Sequence, residues 1–199
     1  KIFVYNRIIK INSMRQFRQF LANLWSTIEV AVIAIAVVLI IRTFLFQPFV
    51  VEGASMFPNF QNSDYLIVDE LTYRLRAPTR GEIIVFHPPQ SPGNYYIKRI
   101  IGLPGETVEI KEGKIIIYNT EYPEGFVLKE DYLLNSTTPG EEKIILGSDE
   151  YFVLGDNRSA SYDSRSWGPL KKDKIVGLVR LQLWPLSSAK AFSTVDYRY

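Results

Sequence analysis

The hydrophobic positions of the chain form one long run near its start and many short runs after it. Residues 30–41 carry no charge. The apolar stretch extended from Trp25 to Phe46 is long enough, at about 1.5 Å per helical residue, to cross a hydrocarbon layer about 30 Å thick. Pro48 lacks an N–H donor and disfavours helix at the residue before it. The pattern therefore predicts a transmembrane anchor helix over residues 25–47.

From residue 48 onward the apolar runs are short and rich in β-branched residues, which is typical of strands. Turn-forming segments such as HPPQSPGN and LPGE separate them, and no later segment shows sustained helical periodicity. We expect a mostly β fold: an antiparallel β-sheet catalytic domain over residues 48–199, carried on one N-terminal transmembrane helix. The predicted strands lie at 65–68, 82–86, 95–101, 150–155 and 174–184, with a hairpin at 107–119 that turns at Glu112 and Gly113. Residues 119–143 are polar and turn-rich, and we expect a loop there.

The charges beside the long apolar run give the anchor a direction. Residues 1–24 contain five basic residues and no acid, which predicts a cytoplasmic N-terminal segment. Residues 48–199 then lie on the outer side, in the periplasm or another extracytoplasmic space, or in a thylakoid lumen. Two alternatives are a buried helix of a soluble domain and a removable signal peptide. The charge pattern disfavours the first, and the absence of a small-x-small site in FLFQPFVVEG disfavours the second.

Composition restricts the chemistry. The 199 residues have a net charge of +2, which does not indicate a nucleic-acid partner. The chain has no cysteine, so disulfides, a thiol nucleophile and cysteine metal sites are excluded, and it has a single histidine, His87. No ligand cluster surrounds that histidine in the sequence. We expect no metal and no cofactor.

The segment EGASMFP places a small serine, Ser55, shortly after the apolar run. A serine hydroxyl becomes a good nucleophile only when a base takes its proton. His87 precedes two prolines in a turn and is expected to be a solvated loop residue. Lys98 is the better candidate, because burial lowers the pKa of an amine and strand alternation gives it an aromatic and an aliphatic neighbour on its own face. A structural lysine whose amine reaches out to solvent is the alternative.

Two further segments contain serine in a pattern of interest. In GDNRSASYDSRSWG, residues 155–168, an extended backbone would direct Ser161, Asp163 and Arg165 the same way, so that the serine could hold a lysine amine. The alternative is a solvated loop with an ion pair. Residues 187–190, SSAK, match the S-x-x-K pattern of penicillin-binding enzymes, but the companion motifs S-D-N and K-T-G are absent.

Taken together, these segments resemble the bacterial type I signal peptidases, the Ser/Lys leader peptidase family, including its cyanobacterial and plastid-type members. The matching elements follow the family order: the single anchor, EGASMFP, RGEIIVFHPP at 80–89, YIKRIIGLPGE at 96–106, and GDNRSASYDSRSWG.

The resemblance implies a role for each matching residue. Ser55 corresponds to the nucleophile and Lys98 to the general base. Ser161 corresponds to the serine that orients the lysine, and Asp163 and Arg165 to a charged pair that supports the site. The loop that opens the family's last motif is matched in this chain by Gly155, Asp156, Asn157 and Arg158. The implied substrates are secretory preproteins cut after small residues in an A-x-A-like pattern, and the implied setting is a lipid bilayer, with the protein a monomer.

The chain departs from the family pattern at two positions. Gly53 stands where some members carry a serine whose hydroxyl helps to bind the oxyanion, so the oxyanion hole would depend on backbone N–H groups, that of Ser55 among them. Asn59 stands where threonine is common; its side chain can also bond nearby backbone.

The turn that holds the serine is expected to lie beside the membrane. The eight residues from Gln47 to Ser55 reach at most about 26–29 Å when extended. Met56, Phe57 and Pro58 are predicted to contact substrate or membrane, whereas Phe60 fits core packing equally well. Two other functions stay open: a non-enzymatic anchored β module, and the same chemistry on proteins other than export precursors.

Overall fold

The computed structural model describes residues 19, 21, 23–39, 46–134, 137–192 and 197. The chain divides into two compact units, residues 1–44 and 45–199. In the first unit residues 23–39 are helical, and apolar side chains such as Trp25, Val30 and Ile35 are exposed. Within the described residues, none of the helices is both long and apolar enough to cross a membrane.

The second unit is mostly antiparallel β-sheet, as the sequence predicted. Its described residues form twelve strands: β1 (Phe46–Val50), β2 (Tyr65–Asp69), β3 (Ile83–Phe86), β4 (Tyr96–Gly102), β5 (Thr107–Lys111), β6 (Lys114–Tyr118), β7 (Phe126–Val127), β8 (Glu142–Ile145), β9 (Glu150–Leu154), β10 (Leu170–Lys171), β11 (Ile175–Trp184) and β12 (Lys190–Ala191). Two short α-helices, Thr72–Leu75 and Ser164–Trp167, and two 3-10 turns, Lys172–Lys174 and Leu186–Ser188, lie between strands.

The strands form two sheets. The larger has the order β1-β2-β11-β3-β4-β9-β10, with β12 paired to β11, and the smaller has the order β7-β6-β5-β8. The hairpin β5–β6 turns at Glu112 and Gly113, whose φ values are 51° and 74°. Two successive positive φ values are what a two-residue type I′ turn requires, so this prediction is confirmed.

Strand β3 shows why the central strands read as unbroken apolar runs. Its alternate residues belong to two different clusters: Ile83 and Val85 pack with Met56 and Phe60, and Ile84 and Phe86 pack against the residues of β9. Since both faces of the sheet are covered here, every position of the strand is buried. A third cluster joins the inner face of the small sheet to β4 and β9.

The predicted end of the anchor is wrong. Phe46 and Gln47, which the sequence assigned to the helix, are the first residues of β1, which pairs antiparallel with β2. Among the described strands β1 is an edge strand, so Pro48 is tolerated although it cannot donate to a ladder. Residues 40–45, the rest of the predicted helix end, lie outside the described residues, as does most of the basic segment 1–24.

The expected loop over residues 119–143 also needs correction. It contains β7 and begins β8, the two outer strands of the small sheet. It also contributes Glu130, whose side chain is buried against Arg158. A two-residue strand such as β7 is too short to show a period, so it could not be predicted from the hydrophobic pattern.

Candidate active site

Ser55 lies in the turn that follows β1, and the core fixes this turn on one side. Met56 and Phe60 are each 1% exposed, and Phe60 stacks on Phe192 with ring centroids 4.6 Å apart. Ser55 itself is half-buried. The apolar residues around the serine therefore hold its backbone in place, while the hydroxyl faces a groove.

Lys98 projects from β4 toward this hydroxyl. Its Nζ atom lies 2.7 Å from Ser55 Oγ, and an Nζ–H group donates to the carbonyl oxygen of Ile97 at 2.8 Å. The side chain does not reach out to solvent, since the residue is only 4% exposed. Burial lowers the pKa of the Lys98 amine from 10.5 to about 8, against the opposing effect of the charges on Asp163 and Asp156. With this pKa, about a tenth of the Lys98 amines are neutral at pH 7 and about half at pH 8.

The two carboxylates near Lys98 are each bound by an arginine. Asp156 accepts two bonds from Arg99, at 2.8 and 2.7 Å, and both side chains are buried. Asp163 accepts two bonds from Arg165, both at 2.8 Å, and also receives the N–H of Gly155 at 3.1 Å. Bidentate pairing of this kind is strong and geometrically specific. Each arginine reduces the effect of its carboxylate on the lysine amine.

The loop of residues 155–158 clamps the Ser55 turn. Asn157 donates its backbone N–H to the Ser55 carbonyl at 2.9 Å and its side-chain amide to the Ala54 carbonyl at 3.1 Å. Gly155 allows this close approach, because a Cβ atom there would collide with the Ser55 carbonyl oxygen and with Ser161 Oγ. Arg158 holds the loop from behind through Glu130 and donates to the Gly155 carbonyl.

Ser161 lies beside this clamp without contacting the lysine by a hydrogen bond. Its Oγ atom is buried and has no hydrogen-bond partner among the described residues. The extended backbone that the sequence suggested ends at Asp163, which caps the short helix Ser164–Trp167. The role of Ser161 in orienting Lys98 stays a prediction.

Gly53 precedes the serine with a φ of +88°, and its N–H donates to Asn62 Oδ1 at 3.0 Å. This left-handed conformation favours glycine over residues that carry a side chain. Within the described part of the chain, the Ser55 N–H donates to no other group.

A cavity of about 670 Å³ runs past the serine and the lysine. Residues 49–55 line one wall and residues 93–98 line the other, and Ala160 and Tyr162 also line the cavity. On one side, strand β4 pairs with β3 from Tyr96 onward. On the other side, its pairing with β9 begins only at Arg99, which lies opposite Leu154. The backbone of residues 96–98 therefore has an open edge beside the reactive pair. We call this cavity the groove.

Two expectations about individual residues need correction. Met56 is packed in the core, so it is not a contact for substrate or membrane, whereas Phe57 is 43% exposed and Pro58 is half-buried. His87 is half-buried and has partners, so it is not a freely solvated residue. The SSAK segment forms no serine–lysine pair, as the absence of its companion motifs indicated: Ser188 bonds Gln182, and the Lys190 amine lies over the Phe192 ring.

Sequence reasoning missed three residues that support the site. Arg99 pairs with Asp156, Asn59 donates to the same carboxylate at 2.9 Å, and Glu130 neutralises Arg158. Only Asn59 had a local signal, as a side chain able to bond nearby groups. Arg99 and Glu130 had none, because each lies far along the sequence from the residue with which it pairs. Among the described residues, no cluster of histidine, aspartate or glutamate side chains is suited to hold a metal ion.

A serine hydroxyl against a buried lysine amine, at the open edge of a β-strand in a groove, is the arrangement expected of a serine hydrolase. Residues 24–184 match the family model described as signal peptidase, peptidase S26. A probable signal peptidase I of Synechocystis is 36% identical over 170 residues, covering 82% of this chain and 75% of that protein.

Two more relatives extend the comparison. A signal peptidase I P of Bacillus subtilis subsp. natto is 38% identical over 173 residues, covering 83% of this chain and 91% of that protein. The chloroplast thylakoidal processing peptidase 1 of Arabidopsis thaliana is 30% identical over 169 residues, covering 80% of this chain and 48% of that protein. The chain therefore belongs to the signal peptidase I family of serine proteases, with cyanobacterial and plastid proteins among its relatives.

Proposed function

We propose that this protein is a membrane-anchored serine endopeptidase that removes signal peptides from exported preproteins. In this proposal Ser55 is the nucleophile and Lys98 is the general base. The observation that carries it is the 2.7 Å separation of the Lys98 amine from the Ser55 hydroxyl, with the amine buried and bonded to no carboxylate among the described residues. The names of the related proteins support the substrate class.

Acylation starts from the neutral amine. Lys98 takes the proton of Ser55 as Oγ attacks the scissile carbonyl carbon, and the carbonyl oxygen becomes an oxyanion. The Ser55 N–H supplies a donor to that oxygen, an interaction typically worth about 3–4 kcal/mol in the transition state. The protonated lysine then gives its proton to the leaving amine as the peptide bond breaks, which leaves an ester on Ser55.

Deacylation uses the same base. Lys98, neutral again, takes a proton from a water molecule that attacks the ester carbonyl. When the second tetrahedral intermediate collapses, the proton passes from the lysine to Ser55 Oγ, and the signal peptide leaves with a new carboxylate. The pairs Asp163–Arg165, Asp156–Arg99 and Glu130–Arg158 hold the loops around Ser55 and Lys98. In this proposal Ser161 restricts the lysine side chain.

The substrate is proposed to bind as an added strand along the open edge of residues 96–98. Backbone pairing tolerates varied sequences, which suits an enzyme that cuts many preproteins. Leu66 and Val85 are among the residues that line the groove, so substrate side chains that alternate toward it would meet apolar atoms. Cleavage after small residues in an A-x-A-like pattern is part of the proposal.

The membrane setting is a further part of the proposal. Its support is the uncharged run of residues 30–41, the basic segment 1–24 and the exposed apolar side chains of the helix at 23–39. The N-terminus lies in the cytoplasm, and the peptidase domain lies on the outer face of a plasma or thylakoid membrane. Phe57, Trp184 and Leu186 are exposed apolar residues of that domain, and are suited to contact lipid. The protein acts as a monomer.

The test is processing of a preprotein by the full chain in detergent. Ser55→Ala and Lys98→Ala should each abolish cleavage while circular dichroism and the melting temperature show a folded domain. Substantial cleavage by either variant would reject the assignment. A peptide inhibitor that acylates serine should label Ser55, whereas a non-enzymatic module would not be labelled. Mass-spectrometric mapping of N-termini left uncut in depleted cells then separates export precursors from other substrates.

A further inference from the structure

The loop between β3 and β4, residues 87–95, is closed by the single histidine of the chain. His87 Nδ1 lies 3.0 Å from the carbonyl oxygen of Asn94, and the His87 backbone N–H donates to the carbonyl oxygen of Lys174 at 2.9 Å. The last register pair of the hairpin is Phe86 with Tyr96. His87 thus stands at the start of the loop, and its side chain reaches the residues that end it.

The histidine ring also backs one wall of the groove. Its centroid lies 4.5 Å from that of Tyr95, and the Tyr95 ring meets Phe49 edge-on with centroids 5.0 Å apart. Phe49, Asn94 and Tyr95 line the groove, whereas His87 does not. The imidazole therefore lies behind the wall, in contact with two of the residues that form it.

We propose that His87 is a positioning residue for substrate binding, which fixes the groove wall that leads into the open edge of β4. The proposal rests on the function proposed above, in which a preprotein segment occupies the groove. Since the Asn94 carbonyl can only accept a hydrogen bond, the contact requires the imidazole proton on Nδ1. His87 does not contact Ser55 or Lys98, so its effect falls on substrate binding and not on proton transfer.

Two substitutions separate the two contacts of the histidine. His87→Phe keeps an aromatic ring against Tyr95 and removes the donor to Asn94, whereas His87→Asn keeps a short N–H donor and removes the ring. With the full chain in detergent and a peptide that spans a signal-peptide cleavage site, we expect His87→Phe to raise KM about three- to tenfold, with kcat within about twofold. His87→Asn should raise KM less. Gln90→Ala, at an exposed position of the same loop, is the control and should leave both constants unchanged.

A second measurement needs no change at the histidine. Because the chain has one histidine, selective ¹⁵N labelling gives one imidazole spectrum, which should show the Nδ1–H tautomer. In the Ser55→Ala variant, saturating peptide should shift this signal. An Nε2–H tautomer, a signal unmoved by peptide, or KM values of both histidine variants within about twofold of the wild type would overturn the inference. Failure of the wild type to cleave any signal-peptide substrate would instead overturn the proposed function.

Discussion

The Lys98 amine lies 2.7 Å from the Ser55 hydroxyl, while the two nearby carboxylates are bound by arginines. A carboxylate bonded directly to the amine would favour the ammonium form and remove the base. Instead, burial is the largest influence on Lys98 and lowers its pKa to about 8. The pairing of Asp156 with Arg99 and of Asp163 with Arg165 thus lets a lysine act where most serine proteases use histidine.

The first prediction concerns the pH dependence of cleavage. Only neutral Lys98 accepts the Ser55 proton, and its pKa is about 8. We expect kcat/KM to rise with pH from about 6 to 9 with an apparent pKa near 8, since this ratio reports the free enzyme. Initial rates on a peptide substrate in detergent measure it, with circular dichroism at each pH as the control. A flat profile over that range, or one that falls, contradicts the role of Lys98.

The second prediction concerns the arginine that pairs with Asp163. In Arg165→Gln the Asp163 charge, which already raises the pKa of Lys98, is no longer balanced. The activity profile should move to higher pH, and the rate at pH 7 should fall about three- to tenfold. Arg180→Gln is the matched control, because it breaks an arginine–aspartate pair, with Asp69, away from the groove. A profile that stays in place in Arg165→Gln would show that Asp163 does not act on the lysine.

The strands that the sequence predicted have a common physical basis. Tyr65–Asp69 and Ile83–Phe86 are long enough to show an alternation or a run that matches their burial. Ile175–Trp184 is also long enough to be predicted, although at its end the polar Gln182 is buried and Leu183 is exposed. The strands that it missed have no such signal. Phe126–Val127 has two residues, and Phe46–Val50 continues the apolar anchor run and contains a proline, so its pairing with β2 could not be inferred locally.

The candidate site likewise contains residues that a local sequence signal predicted and contacts that no local signal indicated. Ser55 and Lys98 were proposed from short segments, and the face of Lys98 follows from strand alternation. Their contact joins residues 43 positions apart. The local pattern left a structural lysine as the alternative, and the resemblance to a known family favoured the pair. The bond between Arg99 and Asp156 spans 57 positions. Nothing local indicated that bond, because a charged residue on a strand reads as solvent-exposed unless its distant partner is known.

The third prediction concerns stability. Below about pH 8 the folded protein holds a protonated, buried Lys98, and the lowered pKa corresponds to a cost of up to about 3 kcal/mol. This cost to the free energy of unfolding is complete below pH 8 and decreases as the pH rises from 8 toward 10.5. It is absent above pH 10.5. Lys98→Met should therefore stabilise the inactive protein by about 1–3 kcal/mol at pH 7, and the gain should vanish near pH 10.5. Urea unfolding at both pH values measures this. If Lys98→Met stabilised the protein equally at pH 7 and near pH 10.5, the gain would come from packing and not from removal of a buried charge.

The last prediction concerns the clamp between the loop of residues 155–158 and the Ser55 turn. A Cβ atom at Gly155 would collide with the Ser55 carbonyl oxygen and with Ser161 Oγ, so Gly155→Ala must push the two loops apart. We expect kcat to fall by about a hundredfold or more, because small displacements of reacting groups are costly, with a loss of about 1–3 kcal/mol in stability. Gly147→Ala is the control, because the atoms nearest to its added Cβ belong to the flexible Glu150 side chain. Ser161→Ala, which removes the hydroxyl and leaves Gly155 in place, should slow turnover while the fold stays intact. If Gly155→Ala retained full activity, the clamp would not set the position of the nucleophile.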